Sequence, residues 1–287
     1  MPQNTNLNVS PYNDDFNEDK NYQRVLFKPG TAIQARELTT LQTILQNQIE
    51  RFGSYMFKEG SKVIPGQTGY DENYEFIQVD SSFFGIGVET YLDQLVGKEI
   101  QGETSGVTAL VVKAITAAES ERGNITLYIR YIRASNQDFI TSKFVDGERL
   151  LVLSDLEYGL SIIKENSPFA TAVSENATGT GSAAFIEEGI YFIRGFFVKV
   201  QSSTILLDQY TNTPSYRIGL LVSEEIVTSF DDSDLNDNSQ GFSNFSAPGA
   251  DRFKISTTFI KKPIDEFNDE NFIELMRVQD GLLLKFV

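Results

Sequence analysis

The hydrophobic period of the chain changes once, near Gly60, and the change divides it into two unequal parts. Before it, Leu38, Leu41, Leu45 and Phe52 recur at three- and four-residue intervals, with Gln48 in the same row and Ile44 and Ile49 widening the stripe. That spacing predicts one long amphipathic helix over 32–53, about 30 Å long at 1.5 Å per residue. Lys28-Pro29-Gly30 breaks the chain ahead of it. Thr31 to Gln34 offer a capping box in which the Thr31 hydroxyl accepts from the Gln34 amide N–H, and Gly53 offers a natural stop.

Beyond Gly60 the alternation becomes two, and turn residues punctuate it at short intervals, so the remainder reads as mainly β. SKVIPG, YEFIQVD, VTALVVKAI, NITLYIRYIR, ERLLVL, FFVKVQSSTILLD, SYRIGLLVSEEIV and RFKISTTFI all have strand character. In NITLYIRYIR, Ile125, Leu127, Ile129 and Tyr131 point one way and Thr126, Tyr128, Arg130 and Ile132 the other, the signature of a half-buried antiparallel strand. YFIRGFFVKV (191–200) is apolar on both faces and reads as one central strand with a bulge at Gly195.

These elements give an α+β, mainly β fold in four stretches. Residues 1–30 are an extended N-terminal arm; 31–84 hold the helix and the start of a β scaffold; 85–165 form an inserted β module; 166–287 continue the scaffold. The phrase LVGKEIQGETSGVTALVV near the start of the module is echoed by FVDGERLLVLSD near its end. The segment ATGTGSAAFIEEGIYFIRGFFVKV that follows is expected to belong to a different sheet. A long polar loop, 229–250, then ends in Ala247-Pro248-Gly249-Ala250. That sequence suits a type II turn, with Asp251 and Arg252 leading into the next strand.

Composition narrows the chemistry. The chain has no Cys, His or Trp, which removes thiolate nucleophiles, disulfides, the commonest general base and the commonest metal ligand. Its 24 basic and 40 acidic residues give a net charge of −16, which opposes nucleic acid and anionic membrane surfaces and leaves proteins as partners. No run of apolar residues is long enough to span a bilayer, and the polar, acidic start is unlike a signal peptide.

Candidate motifs are weak when tested one by one. Asp232, Asp234 and Asn236 match the first positions of a calcium loop, but Asp237 and Ser243 stand where Gly and Glu are needed. GTGSAAF precedes a strand rather than a helix and lacks the phosphate-loop lysine, so its glycines serve turns or close packing. Glu187-Glu188 and Glu224-Glu225 are adjacent on strands and face opposite ways, so neither pair forms a glycosidase dyad by itself. The expectation is no catalytic residue, no cofactor and no metal.

Several long phrases do match something known. Residues 8–66, with EEGIYFIRGFFVKV and NFSAPGADRFKI, resemble a family of virion structural proteins of contractile-tailed phages, notably marine and cyanobacterial myophages. The resemblance implies a tail, baseplate or tail-fibre component, assembled in the host cytoplasm, with other tail proteins as partners and no catalytic residues to carry over. Proteins of this type look longer, so the apolar GLLLKFV is expected either to dock against a neighbour or to lead on toward fibre domains of a longer polypeptide. A homo-oligomer, with a trimer first, fits this reading. Its seam is Leu38, Leu41, Leu45, Gln48 and Phe52, Gln48 fixing register, and its positioned loop is Pro248, Gly249, Asp251 and Arg252. The alternatives are a helix that packs its stripe on its own sheet, a receptor- or glycan-binding fibre protein, and a glycan-degrading tail enzyme.

Overall fold

The computed structural model describes residues 3–135, 141–159, 161–267 and 269–286; Met1 and Pro2 of the expected arm lie outside these. The arm has almost no regular structure and leads to the helix α1 (Ala35–Met56). The strands follow in chain order. The first group is β1 (Lys62–Ile64), β2 (Thr68–Val79), β3 (Ser82–Phe83), β4 (Ile86–Gly87), β5 (Glu99–Gly102), β6 (Thr108–Ile115), β7 (Ile125–Arg133) and β8 (Arg149–Val152). Then come β9 (Leu156–Tyr158), β10 (Ser161–Ile163), β11 (Ser167–Thr171), β12 (Thr178–Ile186), β13 (Gly189–Ile193), β14 (Phe196–Val200) and β15 (Ser203–Asp208). The last are β16 (Tyr216–Val227), β17 (Arg252–Pro263), β18 (Phe272–Gln279) and β19 (Leu282–Phe286). The α+β, mainly β class read from the sequence is what the structure has.

Among the described residues the largest sheet has eight strands in the order β11-β8-β5-β6-β7-β2-β12-β15, and every pairing in it is antiparallel. Of the segment expected in a different sheet, β13 and β14 do lie apart, in a three-stranded sheet with β1, whereas β12 pairs with β2 from Thr178↔Ile77 to Ile186↔Thr68. The module and the scaffold therefore share a sheet, because the 12-residue β2 is long enough to take β7 along its C-terminal end and β12 along most of its length. Separation occurs in the cores instead. One is built from residues between Ile77 and Ala177, including Tyr91, Leu95, Ile100, Leu127 and Phe169. A second joins β12 to β18 around Tyr191, Ile193, Ile218, Leu220 and Met276, and a small third gathers Phe76, Ile115 and Tyr128. The two echoing phrases supply β5 and β8, which lie side by side with Ile100 opposite Val152.

The face assignment of β7 holds, but its first five residues are buried on both sides rather than one. The second face is covered by aromatic rings: Tyr74 stacks on Tyr128 at 5.1 Å between centroids, and Phe76 meets Tyr128 edge-on at 6.3 Å.

The strand expected over 191–200 is a hairpin. Arg194 (φ 51°) and Gly195 (φ 82°) connect β13 to β14 with Ile193 opposite Phe196, so both turn residues lie in the left-handed region. Two such residues form the primed turn whose twist matches that of the strands it joins. The apolar character of both faces concealed the turn, because neither side of the hairpin shows a polar alternation.

The third assembly of strands, β17-β16-β18-β19, is held by charge as well as packing. Arg217 of β16 and Arg277 of β18 both donate to the buried Glu274 carboxylate, Arg277 at 3.1 and 2.9 Å, and Lys285 of β19 adds a 3.3 Å contact. Burial alone would raise the Glu274 carboxyl. The hydrogen bonds from the two arginines and the nearby charges outweigh it and bring the group from the ordinary 4.5 down to about 2.

A depressed carboxyl stabilises the fold at pH values above its unfolded range, and that contribution is lost as pH falls through the folded value. Glu274 is expected to supply about 3 kcal/mol at neutral pH, lost between pH 4.5 and 2. Urea denaturation across that window should show Glu274→Gln less stable at pH 7 and flatter in its acid dependence. A slope equal to wild type would refute this role.

Candidate assembly interface

Helix α1 has two faces, and the buried one is the unexpected one. Thr40, Thr43, Ile44, Asn47 and Gly53 are buried against the chain, while Leu38, Leu45, Ile49 and Phe52 of the leucine stripe are exposed, Leu45 by 58% and Phe52 by 66%. Leu41 is half-buried. The sequence leaves open whether this stripe packs on its own sheet. In the structure it does not, and Tyr55 and Met56 extend the apolar surface at the helix end.

The small, polar inner face allows this docking. Gly53 sits under the Phe192 ring, where an added Cβ would come within 2.4 Å of a ring carbon. Gln46 Nε2 donates to the Gly195 carbonyl at 2.8 Å, and the Glu50 side chain packs against Gly195. The helix therefore rests on the tip of the β13–β14 hairpin. Its caps differ from those expected. The helix starts at Ala35 with Gln34 as N-cap in a reciprocal box with Glu37, not with Thr31, and it runs three residues past Gly53 to Met56. A buried glycine beneath an aromatic ring is here a packing requirement rather than a stop.

The N-terminal arm straps the remaining polar side. Asp14 is buried and accepts from the hydroxyls of Thr40 and Thr43, and Asp15 accepts from Thr40 at 2.7 Å. Glu18 pairs with Arg51, and Gln48 Nε2 donates to Gln23 Oε1 at 3.0 Å. Gln48, placed in the seam row by its spacing, is thus bonded to the arm of its own chain.

The arm begins at the most enclosed ion pair described. Glu224 of β16 accepts from the guanidinium of Arg194 at the hairpin tip, from the backbone N–H groups of Asn4 (2.9 Å) and Thr5 (2.7 Å), and from the Thr5 hydroxyl (2.6 Å). The Arg194 and Glu224 side chains are 9% and 5% exposed. Arg194 also donates to Asn271 and, through its backbone N–H, to Glu59 at 2.8 Å. Burial works to raise the Glu224 carboxyl, but the donors from Thr5, Asn4 and Arg194 together hold it below its ordinary value. Its neighbour Glu225 faces out and pairs with Lys254 at 2.6 Å, so the adjacent carboxylates do part to opposite faces.

The long loop braces the arm midway. Tyr12 donates its hydroxyl to Asp251 at 2.6 Å, and that hydrogen bond to a carboxylate raises the phenol above its usual range. Arg252 turns back to the Ala250 carbonyl at 2.7 Å instead of pairing with Asp251. The turn expected at Pro248-Gly249 lies three residues earlier, where Ala247 N–H donates to the Asn244 carbonyl and Ser246 takes φ 62°. Pro248 bridges Asn236, and Gly249 N–H donates to the Leu235 carbonyl at 3.0 Å. That approach is so close that a Cβ would lie 2.2 Å from the same oxygen. Asp232, first in the imperfect calcium pattern, caps the short turn Ser233–Leu235. The GTGSAAF glycines lie in β12, Gly179 beneath the Phe76 ring and Gly181 against the Gln209 carbonyl.

Sequence reasoning missed Arg194, Glu224 and Thr5 as one junction. A readable signal existed for the first alone: Arg-Gly between two apolar runs of equal length is a hairpin pattern.

A match to the family described as a domain of unknown function, DUF4815, covers residues 10–118 and 172–286. The chain belongs to that family. The match takes in the helix, most of the arm and the first part of the module, and it is interrupted over 119–171, which holds β7 to β11 and the rest of the module. No curated protein and no solved structure matches the chain.

Removing one partner from a buried ion pair leaves an uncompensated charge. Glu224→Gln is expected to cost about 3 kcal/mol and to release residues 3–12, so that limited proteolysis cuts within the arm before the fold melts. Glu225→Gln, at the exposed neighbour, should change stability by less than about 0.5 kcal/mol. Equal effects of the two substitutions would refute the junction.

Proposed function

We propose that this protein is a structural component of a phage tail, a baseplate or tail-fibre anchoring protein, that works by binding copies of itself and other tail proteins. The observation that carries the assembly reading is the uncovered stripe of α1. Leu38, Leu45, Ile49 and Phe52 sit on a helix whose opposite face is already docked, so the outward face is a second binding surface on a held rod. Contiguous exposed apolar surface of this kind marks protein–protein contact. Heptad-type spacing suits packing of like helices around a common axis, and a trimer is the proposed state. The tail assignment rests on the resemblance of residues 8–66 and of the two later phrases to virion structural proteins.

The proposed role asks no chemistry of the side chains. It asks for a rigid platform, and the continuous eight-stranded sheet and the arm-strapped helix supply one.

Light scattering tests the seam. Wild-type protein is expected at three times the chain mass, and Leu45→Asp with Phe52→Asp at one chain mass. Both positions are exposed within the chain, so the substituted protein should retain its circular dichroism spectrum and melting temperature. A folded double variant that keeps the wild-type mass would refute α1 as the seam.

A further inference from the structure

Residues 20–36 carry Lys20, Arg24, Lys28 and Arg36 and no carboxylate, in a chain whose net charge is −16. Every residue of the stretch except Val25 is exposed, among them Tyr22, Leu26, Phe27 and Ile33. None of the four cations joins an ion pair among the described residues. The Gln23–Gln48 bond fixes where the stretch begins to follow the helix. From there it runs back along α1 to Ala35, a distance of about 20 Å at 1.5 Å per helical residue. Its two ends are therefore fixed on α1, at Gln48 and at Ala35.

The loop 229–250 has the opposite character. It carries Asp231, Asp232, Asp234 and Asp237 and no Lys or Arg. Phe230 is 95% exposed, and Phe242 and Phe245 are exposed beside these carboxylates. The loop has a definite shape: Asp231 accepts from Thr228, Asp232 caps a turn, and Asn236 bridges Pro248. The chain thus presents two shaped surfaces, one of four cations and one of four anions, each carrying uncovered aromatic or aliphatic side chains.

The geometry points to a contact between copies in which the basic stretch 20–36 of one chain lies on the acidic, phenylalanine-bearing loop 229–250 of a second copy. Within one chain the arm is braced at the loop base by Tyr12–Asp251 and then drawn away to α1 by Glu18–Arg51 and Gln23–Gln48. A polyanion or an anionic bilayer would meet the remaining charge of the chain and be repelled. The matching anionic surface is present on every copy, and charge complementarity of this kind selects partner and register. The contact is head-to-tail, so each copy gives one surface and receives the other, and a three-fold rotation between copies closes such contacts into the ring of the proposed trimer. This inference deepens the assembly reading proposed above and rests on it.

Charge reversal on the full-length chain tests it. One variant carries Arg24→Glu and Lys28→Glu, a second Asp234→Lys and Asn238→Lys, and a third all four. The four side chains are exposed and make no side-chain bond within the described chain, so melting temperatures should match wild type. Sedimentation equilibrium at low salt is expected to show self-association about tenfold weaker for each of the first two variants. The third should return to wild-type affinity. Unchanged association in all three, with Leu45→Asp and Phe52→Asp still dissociating the protein, would overturn this contact and leave the seam standing. Weakening in the first two without restoration in the third would also overturn it. A wild-type protein that stays a single chain at every concentration would overturn both the contact and the assembly reading.

Discussion

The pairing of Arg194 with Glu224 is the constraint from which the rest of the architecture follows. A guanidinium at a hairpin tip and a carboxylate on a long strand are both taken out of water, and neither could be left alone there without a cost of several kcal/mol. Three further donors from Asn4 and Thr5 complete the coordination of the carboxylate. One buried charge thereby fixes three things at once. The β13–β14 hairpin is set against the β16–β18 ribbon, the chain start is pinned to both, and the hairpin tip is aimed at α1. Because the tip carries Gly195 and the strand behind it Phe192, the helix that lands there must offer small and polar groups. Gly53, Gln46 and Glu50 are the groups that meet the tip, Thr40 and Thr43 are taken by Asp14 of the arm, and the leucines are left facing outward.

This chain of dependence explains what could be read in advance. The change of period near Gly60, the strands after it and the length of α1 were visible because local alternation and helical spacing are properties of neighbours in sequence. The stripe residues Leu38, Leu45 and Phe52 were equally legible as a set. Which way they face was not, since that is decided by Phe192 and Gly195, some 140 residues further on. The same holds for Thr31 and Gly53. Each is a good helix-end residue by type, yet Gln34 with Glu37 takes the cap, and the ring above Gly53 gives that glycine a different purpose.

Other misreadings share one physical cause: two-sided burial erases alternation. The hairpin over 189–200 looked like a single strand because both of its faces are apolar, and β7 looked half-exposed because Thr126 and Tyr128 are polar by type although rings cover them. Where contact is polar and distant, as between Thr5 and Glu224 or Asp14 and Thr43, no local pattern exists to be read. The APGA segment illustrates a third case. Its proline and glycine suit a turn, but close approach to the Leu235 carbonyl uses the glycine for clearance, and the left-handed residue is Ser246.

Strand β2 belongs to both halves of the molecule, with β7 on one edge and β12 on the other. Such a shared strand leaves no joint at which the halves could rock, and it makes the opening of one core a disturbance of the other. In the tail role proposed above, this is the arrangement of a splice rather than a hinge. A pull between the two halves would load the β2–β7 and β2–β12 ladders directly.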